Sequence, residues 1–395
     1  MAEQSDVTYL VDTKRIPALD GLRGIAILIV VFGHIALFGT NDAQRANPVV
    51  RFFADNNGTG VDLFFVLSGF LITGILCDTR DRQGYFRTFY TRRTLRIFPL
   101  YYSVLAIVAV GRAVFPHLYA LNTISPAAQL ANWTYTTNIL MSARGWGAEP
   151  LFLGHFWSLA VEEQFYILWP LVVFKLRRET LVKVAVAGAV IALILRFLLI
   201  QKVSFLPAYM LLPARMDALL TGSLIALWLR GPNGLPSWIT SRVLMILVFA
   251  LFAVDISFSN FGLRGALLVF RSAFHFSVTT AAFGVLLVSA LGLPDKLDWS
   301  KVFGARVLRF FGKYSYAIYV FHLAIIVSLP TLIKTFQLIT VGHIADINIF
   351  LFGAIAIALT VGVSLISWNV LEQPFLKLKE RVADNRLRNQ VVVEA

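Results

Sequence analysis

Ten stretches of the chain are almost continuously apolar, at about residues 22–39, 61–77, 97–115, 156–174, 181–200, 208–229, 242–256, 272–292, 314–333 and 347–370. An α-helix rises 1.5 Å per residue, so runs of this kind match a hydrocarbon core roughly 30 Å thick. The pattern predicts ten transmembrane helices. Polar positions inside the runs are few, which makes each of them informative: an ionisable side chain at membrane depth is costly and usually faces a bundle interior or a wet cavity.

Composition supports the pattern. The 395 residues are 58% hydrophobic and 14% charged, with 33 Phe, more apolar surface than a soluble core can hide. The expected fold is all-α, a polytopic integral membrane protein with about ten spans around a central polar cavity. It divides into an N-terminal segment (1–21), a membrane domain (22–374) and a tail (375–395). The polar start, Met1 to Lys14, is too long and too acidic for the head of a cleavable signal. A single cysteine, Cys77, excludes intrachain disulfides and a thiolate metal site, and no metal is expected.

Charge orients the spans. With the N-terminus placed in the cytoplasm, the six segments on that side carry 25 of the 35 Lys and Arg, and both tails come out cytoplasmic. The net charge of +13 then reads as topology beside an anionic leaflet and calls for no nucleic acid.

The candidate chemistry lies in four stretches. Arg23 and His34, in RGIAILIVVFGH, are eleven residues apart. That spacing returns to nearly the same helix face about 16 Å further on, so with Arg23 at one border His34 falls near the midplane. In the second span, GVDLFFVLSGF places Asp62 at the outer border and Ser68 deeper, where Ser68 and Gly69 also suit close helix packing. The second-to-third loop is the most basic, and Arg93 and Arg96 in RRTLR stand at i and i+3, two guanidinium forks on one face. Such forks bind phosphate oxygens in pairs. The fourth span, HFWSLAVEEQFY, carries Trp157 and two adjacent carboxyls, Glu162 and Glu163, at a depth close to that expected of His34. One of the two, beside the imidazole, would fix its tautomer and stabilise its charge, as a general base requires. Arg215 and Asp217 in the sixth span read either as an ion pair with other helices or as cavity groups. Arg196, near the end of the fifth, is expected to reach back to the interface. His322 either lines an acyl path or is a packed histidine on a backbone carbonyl.

Taken in order, Arg23 with His34, GVDLFFVLSGFLI, RRTLR before IFPLYY, WSLAVEEQFYILWP, YSYAIYVFH and Glu372-Gln373-Pro374 resemble the acyltransferase-3 family over nearly the whole chain. The resemblance implies a bacterial inner-membrane enzyme. It would move an acyl group, most often acetyl, from acyl-CoA to a hydroxyl of a sugar or glycoconjugate. It further implies that His34 is the family's essential histidine, that Arg23 is its spaced basic partner, and that Arg93 with Arg96 is the R-x-x-R pair linked to acyl-CoA. Many relatives carry a fused extracytoplasmic domain, and the chain reads as the stand-alone form.

The rival class is a transporter or flippase of a glycolipid. Against it, no pair of matching Gly/Pro-broken half-helices stands in corresponding halves. The expected chemistry is direct transfer, with His34 as base on the acceptor hydroxyl; an acyl-histidine intermediate is the competing route. Acceptor identity, acyl length and oligomeric state are not written in these residues.

Overall fold

A computed structural model describes residues 16–115, 124–258, 265–291, 300–335 and 349–378. The expected N-terminal segment up to residue 15 and the tail beyond 378 lie outside the described residues. Helices cover all ten apolar runs: α1 (Pro17–Phe38), α2 (Thr59–Thr79), α3 (Tyr85–Val114), α4 (Phe156–Lys175), α5 (Arg178–Lys202), α6 (Leu212–Leu229), α7 (Arg242–Phe258), α8 (Gly265–Ala290), α9 (Ser315–Thr335) and α10 (Ile349–Ser367). No strand occurs among the described residues. Eight of the ten helices are long and apolar enough to cross a membrane. The other two are α7, 17 residues long, and α4, which carries the glutamate pair.

Local chemistry sets the ends of these helices. Pro17 opens α1, where its missing N–H costs nothing, and Gly39 closes it by bonding back to Ile35 O. Pro48–Asp55, a short helix beyond α1, is capped by the Asn47 side chain on Val49 N. Pro99 and Pro170 lie inside α3 and α4, interruptions that neighbouring helices tolerate in a membrane bundle.

The bundle is organised on α1, α2 and α6. In α2 and in the segment Phe205–Leu229, 72% of the most apolar stretch is buried within the protein, against 17% in α5, which turns most of its surface outward. Glycine makes the central contact possible. A side chain at Gly69 would strike the Leu219 carbonyl, and one at Gly222 would strike the Val66 carbonyl. The backbones of α2 and α6 therefore touch, as small residues allow in membranes. In the same way Gly24 lies against the Leu308 carbonyl and Gly312 against that of Asp20, seating the start of α1 on the short helix Arg306–Lys313.

Two buried ion pairs tie this core to its neighbours. Arg215 on α6 bonds Asp62 on α2. Arg196 on α5 bonds Asp217 at 2.7 Å, Ser277 at 2.5 Å and the Ala214 carbonyl at 2.6 Å. The expected reach of Arg196 to the interface is thus corrected. It is fully buried, because Asp217 and two backbone carbonyls satisfy its fork inside the bundle, and a paired guanidinium has no need of the interface. Asp62, expected at the outer border, is likewise buried and paired.

Candidate active site

The polar interior is divided into two cavities that back onto each other. The first, about 230 Å³, holds all three arginines singled out from the sequence, Arg23, Arg93 and Arg96. Arg93 lays its guanidinium 3.6 Å over the ring of Tyr166 and stands 3.8 Å from Glu163. Arg23 bonds Asp20 at 3.1 Å, while Arg96 is exposed. Ser68, hydrogen-bonded to the Tyr166 hydroxyl, and Glu162 complete one side. The i, i+3 placement does what the sequence led one to expect, since the helix of α3 extends back to Tyr85 and presents both forks on one face.

The second cavity, about 750 Å³, contains His34, His155, Asp62, Trp157, Tyr209 and His275. Its wall is aromatic. Trp157 packs 4.7 Å from Tyr209 between ring centroids, Phe205 stacks on Tyr209 at 5.5 Å, and Trp146 lies 6.0 Å from the same ring. Around them stand hydrogen-bonding groups: the Arg51–Asp55 pair (3.5 Å), Asn56, Asn57 and Arg271. His275 donates its Nδ1–H to Asp255 at 2.5 Å, a dyad joining α7 and α8. Flat rings with polar groups at their edge are what a saccharide needs, apolar faces for its C–H surface and donors and acceptors for its hydroxyls.

His34 donates its Nδ1–H to the Val30 carbonyl at 2.8 Å. A carbonyl only accepts, so the proton sits on Nδ1 and the lone pair on Nε2. The shared wall of the two cavities contains Val61 and Tyr319, which line both. Tyr319 is fixed there by donating to the His155 carbonyl (3.0 Å) and by a 2.5 Å hydrogen bond with Ser158.

Helix α1 begins at Pro17, six residues before Arg23, and ends at Phe38, four residues after His34. The imidazole therefore lies about 6 Å from the far end of α1. Glu162, seven residues beyond His155, is about 10 Å further toward the arginine end. Neither glutamate is placed beside His34: both line the arginine cavity, and the rings that His34 meets are those of His322, 5.0 Å away between centroids, and Phe38, stacked at 5.9 Å. Of the two readings for His322, the packed histidine describes what is seen, for it is fully buried and bonded to the Tyr319 carbonyl at 2.7 Å. Asp62 and Trp157 do line the second cavity and Ser68 the first, whereas Arg215 stands behind Asp62. The sequence reading missed Tyr209, Phe205, His155 and His275, which is bonded to Asp255, as cavity groups. His155 heads the same motif as Trp157, which was a usable signal; the others carry none.

A bundle with a basic pocket, a shared wall and an imidazole on the far side defines a polytopic membrane enzyme of group transfer. Residues 16–369 match the sequence model of the acyltransferase domain family, and the chain belongs to this acyltransferase-3 family. It is 30% identical, over 79% of its own length, to the peptidoglycan O-acetyltransferase OatA of Listeria monocytogenes. A putative peptidoglycan O-acetyltransferase of Bacillus subtilis, YrhL, is 30% identical over 80% of the chain. The O-acetyltransferase OatA of Staphylococcus aureus is 26% identical over 92%. The chain spans about half the length of these relatives, 50%, 49% and 58% respectively. No solved structure matches it. Membership in an acyltransferase family supports the enzyme reading over the transporter.

Proposed function

We propose that the protein is an O-acetyltransferase that takes acetyl from acetyl-CoA at the arginine cavity and delivers it to a glycan hydroxyl in the aromatic cavity. The observation that carries this reading is the common wall at Val61 and Tyr319, with three arginines on one side and the Nε2 lone pair of His34 on the other. Peptidoglycan-type sugars are the favoured acceptor class, given what the relatives act on.

The arginine end faces the cytoplasm, as the distribution of Lys and Arg argues, and both termini lie there. Arg93 and Arg96, with Arg23, hold the phosphates of CoA; Glu163 keeps the Arg93 fork in place until phosphate oxygens replace it. The pantetheine arm passes between Val61 and Tyr319. A sugar hydroxyl stacked in the aromatic cavity gives its proton to His34 Nε2 as its oxygen attacks the thioester carbonyl. The C–S bond breaks, and the imidazolium returns the proton to the departing thiolate. The products are an O-acetyl ester and CoA, with protons and electrons balanced. One base suffices because the thioester is already activated.

The test is mass spectrometry of surface glycans from cells carrying either the wild-type gene or His34→Asn. Loss of O-acetyl groups in the variant alone is the expected result; unchanged acetylation, with the variant present in the membrane, overturns the reading.

A further inference from the structure

A base on the floor of the aromatic cavity works only while its lone pair points into that cavity. His34 is held so from two helices. Besides the Val30 carbonyl, its Nδ1 meets Nε2 of His322 at 3.4 Å, the two rings inclined at 64°. These residues are 288 positions apart in the chain. The protonation of His322 is decided on its other edge, where its Nδ1 faces the carbonyls of Tyr319 (2.7 Å) and Ile318 (3.2 Å). Carbonyls only accept, so His322 Nδ1 carries its proton. The His34 Nδ1 proton is likewise fixed by Val30. What remains at His322 Nε2 is a lone pair aimed at the His34 N–H.

We propose that His322 is the positioning residue of His34, a neutral acceptor standing where a carboxylate stands behind many catalytic imidazoles. It lines neither cavity, so it acts through His34 and not on substrate. When His34 Nε2 takes the acceptor proton, the positive charge spreads toward Nδ1–H, and the His322 lone pair stabilises it. The separation of 3.4 Å is long for a hydrogen bond; bonds of this kind shorten when one partner becomes charged. A neutral partner suits a membrane interior, where a carboxylate would carry a standing desolvation cost. The other titratable groups facing His322 are His155, 4.9 Å away, and Tyr319, 5.5 Å away. No carboxylate among the described residues hydrogen-bonds to either ring. The inference rests on His34 being the base.

The experiment is nitrogen NMR of the full chain in nanodiscs with labelled histidine. The protein has six His, and the His34 signals are those lost in His34→Asn. In wild type, His34 should show a protonated Nδ1 and a bare Nε2. In His322→Leu, Nε2 should take its proton at lower pH, because the imidazolium loses its acceptor. His322→Gln, whose carbonyl oxygen can accept, should restore most of the difference. In transfer assays with acetyl-CoA and a soluble oligosaccharide, His322→Leu should lower kcat by about 10–100-fold, the range for outer partners of a ligating histidine. KM should be unchanged, and the rising limb of the pH profile should move down. If the leucine variant does not fold, His322→Asn replaces it, an amide too short to reach His34. A His34 that titrates at the wild-type pH in these variants, or a glutamine variant no better than leucine, overturns the proposal. Full activity in His34→Asn would instead overturn the base assignment on which it rests.

Discussion

The arginine cavity and the aromatic cavity are built from different kinds of information. Three arginines furnish the first, two of them i and i+3 on one helix, and its counter-charges, Glu162 and Glu163, are adjacent in sequence. The second draws His34, Trp146, Trp157, Phe205, Tyr209 and His275 from five separate segments. It is also three times larger. A phosphate-binding mouth needs charge at one place, which a short motif supplies. A glycan site needs a broad concave wall, and only tertiary packing assembles one. On the proposed function the division also separates binding from chemistry, so that substitutions on the two sides of the Val61–Tyr319 wall should fail in different ways.

The largest effect is expected at His34. His34→Asn should reduce acetyl transfer to background, a loss of at least the 10²–10⁴-fold ascribed to a general base, with CoA affinity intact; single-turnover transfer in nanodiscs measures it. Next comes the double change Arg93→Ala with Arg96→Ala. Hydrogen bonds between charged groups are worth roughly 1.5–3 kcal/mol each, so CoA affinity should fall by several kcal/mol in titration calorimetry. Lys at both positions should restore only part, since a point charge cannot imitate the fork.

Third is the wall. Val61 is buried and lines both cavities. Val61→Phe should slow transfer about tenfold or more through overpacking of roughly 1–3 kcal/mol, while the Arg93–Arg96 side still binds CoA. Transfer at the wild-type rate would mean that the acyl arm takes another path. The smallest change should come from Trp146, which is half exposed and can be truncated without emptying the core. Trp146→Ala should raise the acceptor KM by about tenfold, the equivalent of 1.4 kcal/mol, and leave CoA binding untouched.

Much of this architecture was legible in the sequence, for reasons that can be stated. All ten apolar runs became helices because span length and hydropathy are local properties. Arg23 and His34 do share a face of α1, since eleven residues make just over three whole turns. What the spacing along α1 could not show is that His34 and the glutamates line different cavities. Glu163 is buried and Glu162 partly so. The partner of Glu163 is Arg93, a choice fixed by how α4 is rotated against α3, which no single-span pattern records. Arg196 shows the same limit, because Asp217 and the Ala273 carbonyl that hold it come from other helices. The pairing of His34 with His322, and of Trp146 with Tyr209, exists only after the bundle closes.

The central claim is that donor binding and chemistry sit on opposite sides of one wall. Calorimetric titration of CoA into His34→Asn and into the Arg93→Ala, Arg96→Ala protein, side by side in nanodiscs, tests it most directly. The account predicts wild-type affinity in the first and an affinity weaker by orders of magnitude in the second. Loss of binding in His34→Asn, or its retention in the arginine variant, would contradict it.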